Sequence, residues 1–249
     1  MRTPDVRMAP VDRPQLIREA EQLVKKYRSL SSGTLATNMK ISGKKAVEVQ
    51  HIYKNWSTDT DQQIPAIDAF IGDIYSGLQV QAWSDKDRAY AQQHLLILSG
   101  LYGALRACDG IMPYRLEMGY KLPNGKSLYD FWADKIATTI HPDTTDIINL
   151  SAVEYTKALL PSIHLPVIAP KFLTVSPKTN EPAFVTVHAK IARGAFARWL
   201  IQNRIDDIAQ LQTFTDLGYS FDASSSTPEQ PVFICKTFEG LGLSVRLLQ

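Results

Sequence analysis

Apolar positions at Leu16, Ile17, Ala20, Leu23, Val24 and Tyr27, three and four residues apart, follow Asp12-Arg13-Pro14 and predict an amphipathic helix. Residues 34–55 repeat the pattern through Leu35, Met39, Val47, Ile52 and Trp56 among lysines, with Ser42-Gly43 expected to interrupt the helix. A third helix is expected after Ser84, with Asp87 completing a capping box, and should run to about Leu98. The glycines of Ser99-Gly100-Leu101-Tyr102-Gly103 then break it, and Ala104-Leu105-Arg106 reads as the first turn of a successor, which predicts helix, tight loop, helix. Further on, residues 146–150, 166–169, 183–187 and 232–234 are short, β-branched runs bounded by Pro, Asp or Ser and predict strands. Helices should fill 127–140 (Leu128, Phe131, Trp132, Ile136) and about 189–205 (Ala192, Phe196, Trp199, Leu200). The expected class is therefore α+β (mixed α/β), helix-rich at its start and strand-bearing later. A single domain over 1–249 is expected, with 1–13 irregular.

Composition narrows the function classes. The 249 residues are 45% hydrophobic and 21% charged, and 27 basic against 25 acidic side chains leave a formal charge of +2. A chain so nearly neutral does not declare itself a nucleic-acid binder, so any polyanion site must come from local clustering. Cys108 and Cys235 form no Cys-x-x-Cys pair, the five histidines are scattered, and neither spacing suits zinc. No phosphate-binding or dinucleotide glycine motif follows a strand, and no Gly-x-Ser-x-Gly elbow is present. No catalytic residue, metal ligand or cofactor is assigned. No apolar run approaches a membrane span and no signal core opens the chain, so a cytoplasmic protein without a membrane partner is expected.

Three places could carry chemistry. The loop of Ser99, Gly100, Tyr102 and Gly103 could hold a phosphate if the amides of a following helix faced outward, or could be a plain helix-breaking turn. Just beyond it, Pro113-Tyr114-Arg115-Leu116-Glu117 and Asp109 crowd an aromatic, a guanidinium and carboxylates together. Arg115 could bind phosphate bidentately or pair internally with Glu117 or Asp109. The stretch from Phe184 to Ile205 holds Lys190, Arg193, Arg198 and Arg204 with no acid, so a helix there would set Lys190, Arg193 and Arg204 on one basic face. Gly72-Asp73-Ile74-Tyr75-Ser76-Gly77 is expected to be a hairpin or loop.

Several phrases together resemble one family, YaaA. They are Gly72-Asp73-Ile74-Tyr75-Ser76-Gly77-Leu78, Leu98-Ser99-Gly100-Leu101-Tyr102-Gly103-Ala104-Leu105-Arg106, Pro113-Tyr114-Arg115-Leu116-Glu117-Met118-Gly119, Leu128-Tyr129-Asp130-Phe131-Trp132 and Ala189-Lys190-Ile191-Ala192-Arg193-Gly194. The similarity runs from about 16 to about 235. It implies a single-domain fold peculiar to the family with a helix-hairpin-helix element, a positive cleft that binds double-stranded DNA, and protection against hydrogen peroxide by limiting intracellular free iron. The hairpin would fall on Ser99, Gly100, Tyr102 and Gly103, and the cleft would draw on Arg106, Arg115, Lys190, Arg193 and Arg198. The alternative is an enzyme acting on a nucleotide or nucleobase through the Gly100–Gly103 loop and the Arg115/Glu117 cluster. Three departures stand out: the family's leading strand ending Ser-Pro-Ala-Lys is replaced by Met1-Arg2-Thr3-Pro4, Ala107-Cys108 stands where Pro-Leu is usual, and the tail after Phe233 differs.

Overall fold

A computed structural model describes residue 1 and residues 11–241. Chain order is α1 (Ile17–Arg28), α2 (Ser32–Met39), α3 (Gly43–Asn55), β1 (Ile64–Pro65), α4 (Ala66–Ala69), α5 (Asp73–Leu78), α6 (Asp85–His94), β2 (Ile97–Ser99), β3 (Gly103–Leu105) and β4 (Gly110–Ile111). It continues with α7 (Leu128–Trp132), β5 (Ile147–Ile148), α8 (Val153–Leu159), β6 (Val167–Ile168), β7 (Lys171–Val175), β8 (Pro182–Ala183), α9 (Thr186–Gln202), β9 (Tyr219–Phe221) and β10 (Val232–Cys235), joined by short 3₁₀ turns. The mixed α+β class expected from the patterning is what these elements form. They gather into two compact units: Met1–Ala69 with Leu95–Asp143 and Ser151–His164, and Phe70–His94 with Thr144–Leu150 and Leu165–Gln249.

In the first unit, α1 buries the expected stripe of Ile17, Ala20, Leu23, Val24 and Tyr27. The interruption at Ser42-Gly43 is real and separates α2 from α3. Ser31 caps α2 by accepting the Thr34 amide, Lys40 closes it in the left-handed region at φ 52°, and Ser42 caps α3 through the Lys45 amide. Strands in this unit are short: β1 pairs antiparallel with β4, and β2 with β3. Buried aromatic residues tie it together. Tyr27 stacks on Tyr53 at 5.3 Å, and the Tyr102 hydroxyl accepts hydrogen bonds from the Trp56 indole and the Met112 amide. The irregular start expected over 1–13 lies mostly outside the described residues, as do the place of the family's leading strand and the end of the tail. Within the described part, Asp12 bridges Asp109 in parallel.

The second unit is organised around a four-stranded mixed sheet of order β8-β7-β10-β9, in which only the β7–β10 pair is parallel. Phe172 of β7 sits at its core against Phe196, Phe214, Tyr219 and Phe233, with ring centroids 5.4–6.1 Å apart. Helix α9 lies against this core through Ala189, Ala192, Ala195 and Phe196, all buried. Its other side meets α5. There a Cβ on Gly77 would drive into the Ile191 carbonyl oxygen and one on Gly194 into that of Ile74. The segment expected as a glycine-punctuated hairpin is thus α5, and its glycine admits a neighbouring backbone. The expected capping box at the head of α6 is present: Asp87 N–H donates to Ser84 Oγ and Ser84 N–H to Asp87 Oδ2.

Candidate nucleic-acid interface

The double-glycine loop turns out differently from expectation. Helix α6 stops at His94, and 97–105 is a β-hairpin in which Ile97 faces Leu105 and Ser99 faces Gly103. Pairing of two short runs buried on both faces wins over continuation of the helix, and Gly103 supplies the positive φ of 72° that returns the chain. No helix follows, so the expected helix-hairpin-helix does not form here. Ser99, Gly100, Leu101, Tyr102 and Gly103 are all buried. The Ser99 hydroxyl accepts the Tyr102 amide inside the loop, and the Gly100 carbonyl accepts the Trp132 indole. A Cβ at Gly100 would run into the Leu116 carbonyl, which makes close packing the reason for glycine. The Tyr102 amide, engaged in this way, does not face a phosphate.

Arg106 ends the hairpin half-buried, and its guanidinium donates to the Thr139 carbonyl at 2.8 Å while its amide donates to the Asp109 carboxylate. Asp109 is buried. Arg115 belongs to an irregular segment anchored against the hairpin: the Tyr114 and Ser99 hydroxyls are 2.7 Å apart, and the Tyr53 hydroxyl donates to the Arg115 carbonyl. The Arg115 Nη2 lies 3.8 Å from Glu117 Oε1, with side chains 37% and 44% exposed. The structure therefore brings Arg115 and Glu117 together, while Asp109 serves the turn after β3.

Helix α9 corrects the picture of a solvated basic stripe. It starts at Thr186, absorbing the end of the strand expected over 183–187, and it packs on two sides. The missing counter-charges come from distant residues: Arg198 pairs with Asp216 at 2.8 Å and donates to the Gly77 carbonyl, and Arg204, past the helix end, pairs with Asp87 at 2.9 Å. Arg193 is half-buried, and desolvation holds its pKa below the ordinary arginine value. Lys190 is exposed. Near the start of α9, Thr174, Asn180, His188, Lys236, Phe238 and Glu239 help line a cavity of about 780 Å³. His188 Nδ1 is 3.0 Å from Thr174 Oγ1, its ring stacks on Phe238, and burial lowers its pKa.

One run of basic residues lies outside those motifs. Between Gln22 and Thr58 stand Lys25, Lys26, Arg28, Lys40, Lys44, Lys45 and Lys54 against one acid, Glu48. Lys45 pairs with Glu48 at 2.7 Å and Arg28 donates to the carbonyls of Tyr53 and Trp56, while Lys25, Lys26, Lys40, Lys44 and Lys54 project exposed from α1, the α2–α3 turn and α3. The Ser42–Lys45 stretch forms an exposed helix start, and the Gly43 Cα has open space around it. The signal was available as a charge count over a window. It was hidden because these lysines fall outside the glycine and arginine phrases that drew attention.

These features define a mixed α+β protein in which an uncharged helix, α2, is joined by a tight turn carrying Lys40 to the lysine-bearing α3. A family model described as "Peroxide stress protein YaaA" matches residues 1–225. A UPF0246 protein of Salinispora tropica is 48% identical over 236 residues, covering 94% of this chain and 89% of the relative. UPF0246 proteins of Roseobacter denitrificans and Dinoroseobacter shibae are 39% and 42% identical, over 92% and 89% of this chain and 92% and 86% of those relatives. The chain belongs to the YaaA (UPF0246) family of peroxide stress proteins. Among the described residues no helix is long and apolar enough to cross a membrane.

Proposed function

We propose that this protein serves the peroxide stress response by binding double-stranded DNA, and that it thereby helps to limit intracellular free iron. The observation that carries the DNA reading is the α2–α3 pair: two helices, a three-residue turn closed by Lys40, a serine-capped helix start and exposed Lys40, Lys44 and Lys45. It takes the place of the loop at 99–103 as the helix-hairpin-helix element. Amides at a helix start carry partial positive charge and point along the axis, so a backbone phosphate meets them together with the lysine ammonium groups. Nothing in that geometry distinguishes one base from another, and affinity should be governed by counterion release.

Gel-shift titration of duplex DNA at several salt concentrations tests the reading. Affinity is expected to fall steeply with salt, and Lys44→Glu with Lys45→Glu to lower the slope of log K against log salt by about one to two, since Lys45 is already paired with Glu48. Binding that ignores salt, or is unchanged in the double variant, rules it out. For the iron part, cells lacking the protein should hold more chelatable iron after peroxide, and the same double variant should fail to restore the low level.

A further inference from the structure

The segment from Pro113 to Gly119 has no regular secondary structure apart from a closing turn, yet almost every residue of it is fixed. Tyr114 is held by Ser99, the Arg115 carbonyl by the Tyr53 hydroxyl, and Leu116 lies against the Gly100 backbone. The Met118 backbone and the Glu117 carboxylate both hydrogen-bond to Tyr155, and the Gly119 amide donates to Glu154 at 2.7 Å. Burial, reinforced by Glu117 and Glu154, raises the Tyr155 phenol well above its ordinary value, so it stays protonated and donates to Glu117. What this frame presents to solvent is the Arg115–Glu117 pair.

That pair is unfinished as a structural ion pair. Its 3.8 Å separation exceeds a hydrogen bond, and Arg115 Nε is buried with no hydrogen-bond partner. An exposed, loose ion pair contributes little stability, so it does not account for setting these two charges side by side, and since Nε is buried a ligand would meet the outer nitrogens of the guanidinium. A phosphate would satisfy the guanidinium but would set Glu117 against a like charge. The complement is a neutral planar edge that offers acceptors to the guanidinium and donors to the carboxylate.

We propose that Arg115 and Glu117 form a binding site for a guanine base. Guanine matches both groups in full: O6 and N7 accept from the guanidinium fork, and N1–H and N2–H donate to the two oxygens of the carboxylate. Adenine and cytosine each offer a single amino nitrogen as donor and leave half of the carboxylate unused. Tyr155 occupies only one of the carboxylate's acceptor positions, so the remainder stays open to the base. The inference rests on the nucleic-acid reading of this protein for the source of its guanine, which must be unpaired, because in a duplex N1–H and N2–H are taken by cytosine. The two are separable, because the α3 lysines and this pair are different residues and can be replaced independently.

The experiment is isothermal titration of the full chain with the 5′-monophosphates of guanosine, adenosine, cytidine, uridine and inosine. The guanosine nucleotide is expected to bind at least about tenfold tighter than the adenosine, cytidine and uridine nucleotides. Inosine monophosphate, which lacks the N2 amino group, is expected to fall between. Glu117→Gln should erase the difference between the guanosine and inosine nucleotides, and Arg115→Lys should weaken the guanosine nucleotide by about tenfold. Equal binding of all five would mean phosphate recognition and would overturn the site, as would tighter binding of any other base or no binding at all. The wild-type comparison needs no variant to fold. Guanosine monophosphate binding with failed duplex binding would retire the DNA reading and keep this one; the opposite result would do the reverse.

Discussion

At the scale of single residues, glycine is the type whose purpose sequence states least clearly. Gly100 and Gly103 flank a short loop, as phosphate-binding glycines do, yet the structure uses the first for close contact with Leu116 and the second for a turn with φ 72°. Gly77 and Gly194 are a more demanding case, since a Cβ on either would run into the backbone of the facing helix, at the Ile191 and Ile74 carbonyls respectively. Only backbone movement could accommodate a methyl group there, because the obstructing atoms are carbonyl oxygens rather than yielding side chains. Gly194→Ala should therefore destabilise by about 3 kcal/mol, near the top of the range for overpacking. For a chain of this size that is a fall of roughly 6–12 °C in Tm, readable by calorimetry. Gly43→Ala, in open space at a helix start, should change Tm by no more than about 2 °C. If the two substitutions behave alike, the close α5–α9 approach is wrong.

At the scale of elements, what was legible in the sequence is what local chemistry determines. The stripe of α1, the break at Ser42-Gly43, the capping box of α6 and the strands at 147–148, 167–168 and 232–235 all declared themselves through period, cap or β-branching. Elements decided by partners did not. Residues 97–105 are too short to show a period, and they pair with each other because both faces are buried. Thr186 and Val187 have strand propensity but open α9, whose length is set by packing on Phe172 and α5. The α2–α3 turn sets local chemistry against the proposed DNA contact. Lys40 holds φ 52° where glycine is the usual choice, a conformation that costs a side-chain-bearing residue about 1 kcal/mol. Lys40→Gly should then raise stability by up to about 1 kcal/mol in denaturant melts while lowering duplex affinity in the gel shift. A simple spacer at this position would give the first effect without the second.

At the scale of the whole molecule, a formal charge of +2 conceals where charge is available and where it is spent. The stretch around α9 looked acid-free only because its acids, Asp87 and Asp216, stand on other elements. Charge counts along a chain cannot see such partners, which is why Arg198 entered the candidate interface on the same footing as Lys190. Their environments now separate them. Arg198 has a side chain 14% exposed, a 2.8 Å ion pair and a bond to the Gly77 carbonyl that helps hold α5 to α9. Lys190 is exposed and contributes charge alone. Removing Arg198 leaves the Gly77 carbonyl undersatisfied, while Asp216, 37% exposed, regains water, so Arg198→Ala should cost about 1–2 kcal/mol of stability. At a temperature where both proteins are folded it should leave the salt slope of DNA binding unchanged. Lys190→Ala should leave stability within about 0.5 kcal/mol and reduce the slope by no more than about one, the share of a single phosphate contact. Were Arg198→Ala to flatten the slope with no loss of Tm, the guanidinium would be facing DNA rather than Asp216, and the division between structural and available charge would have to be redrawn.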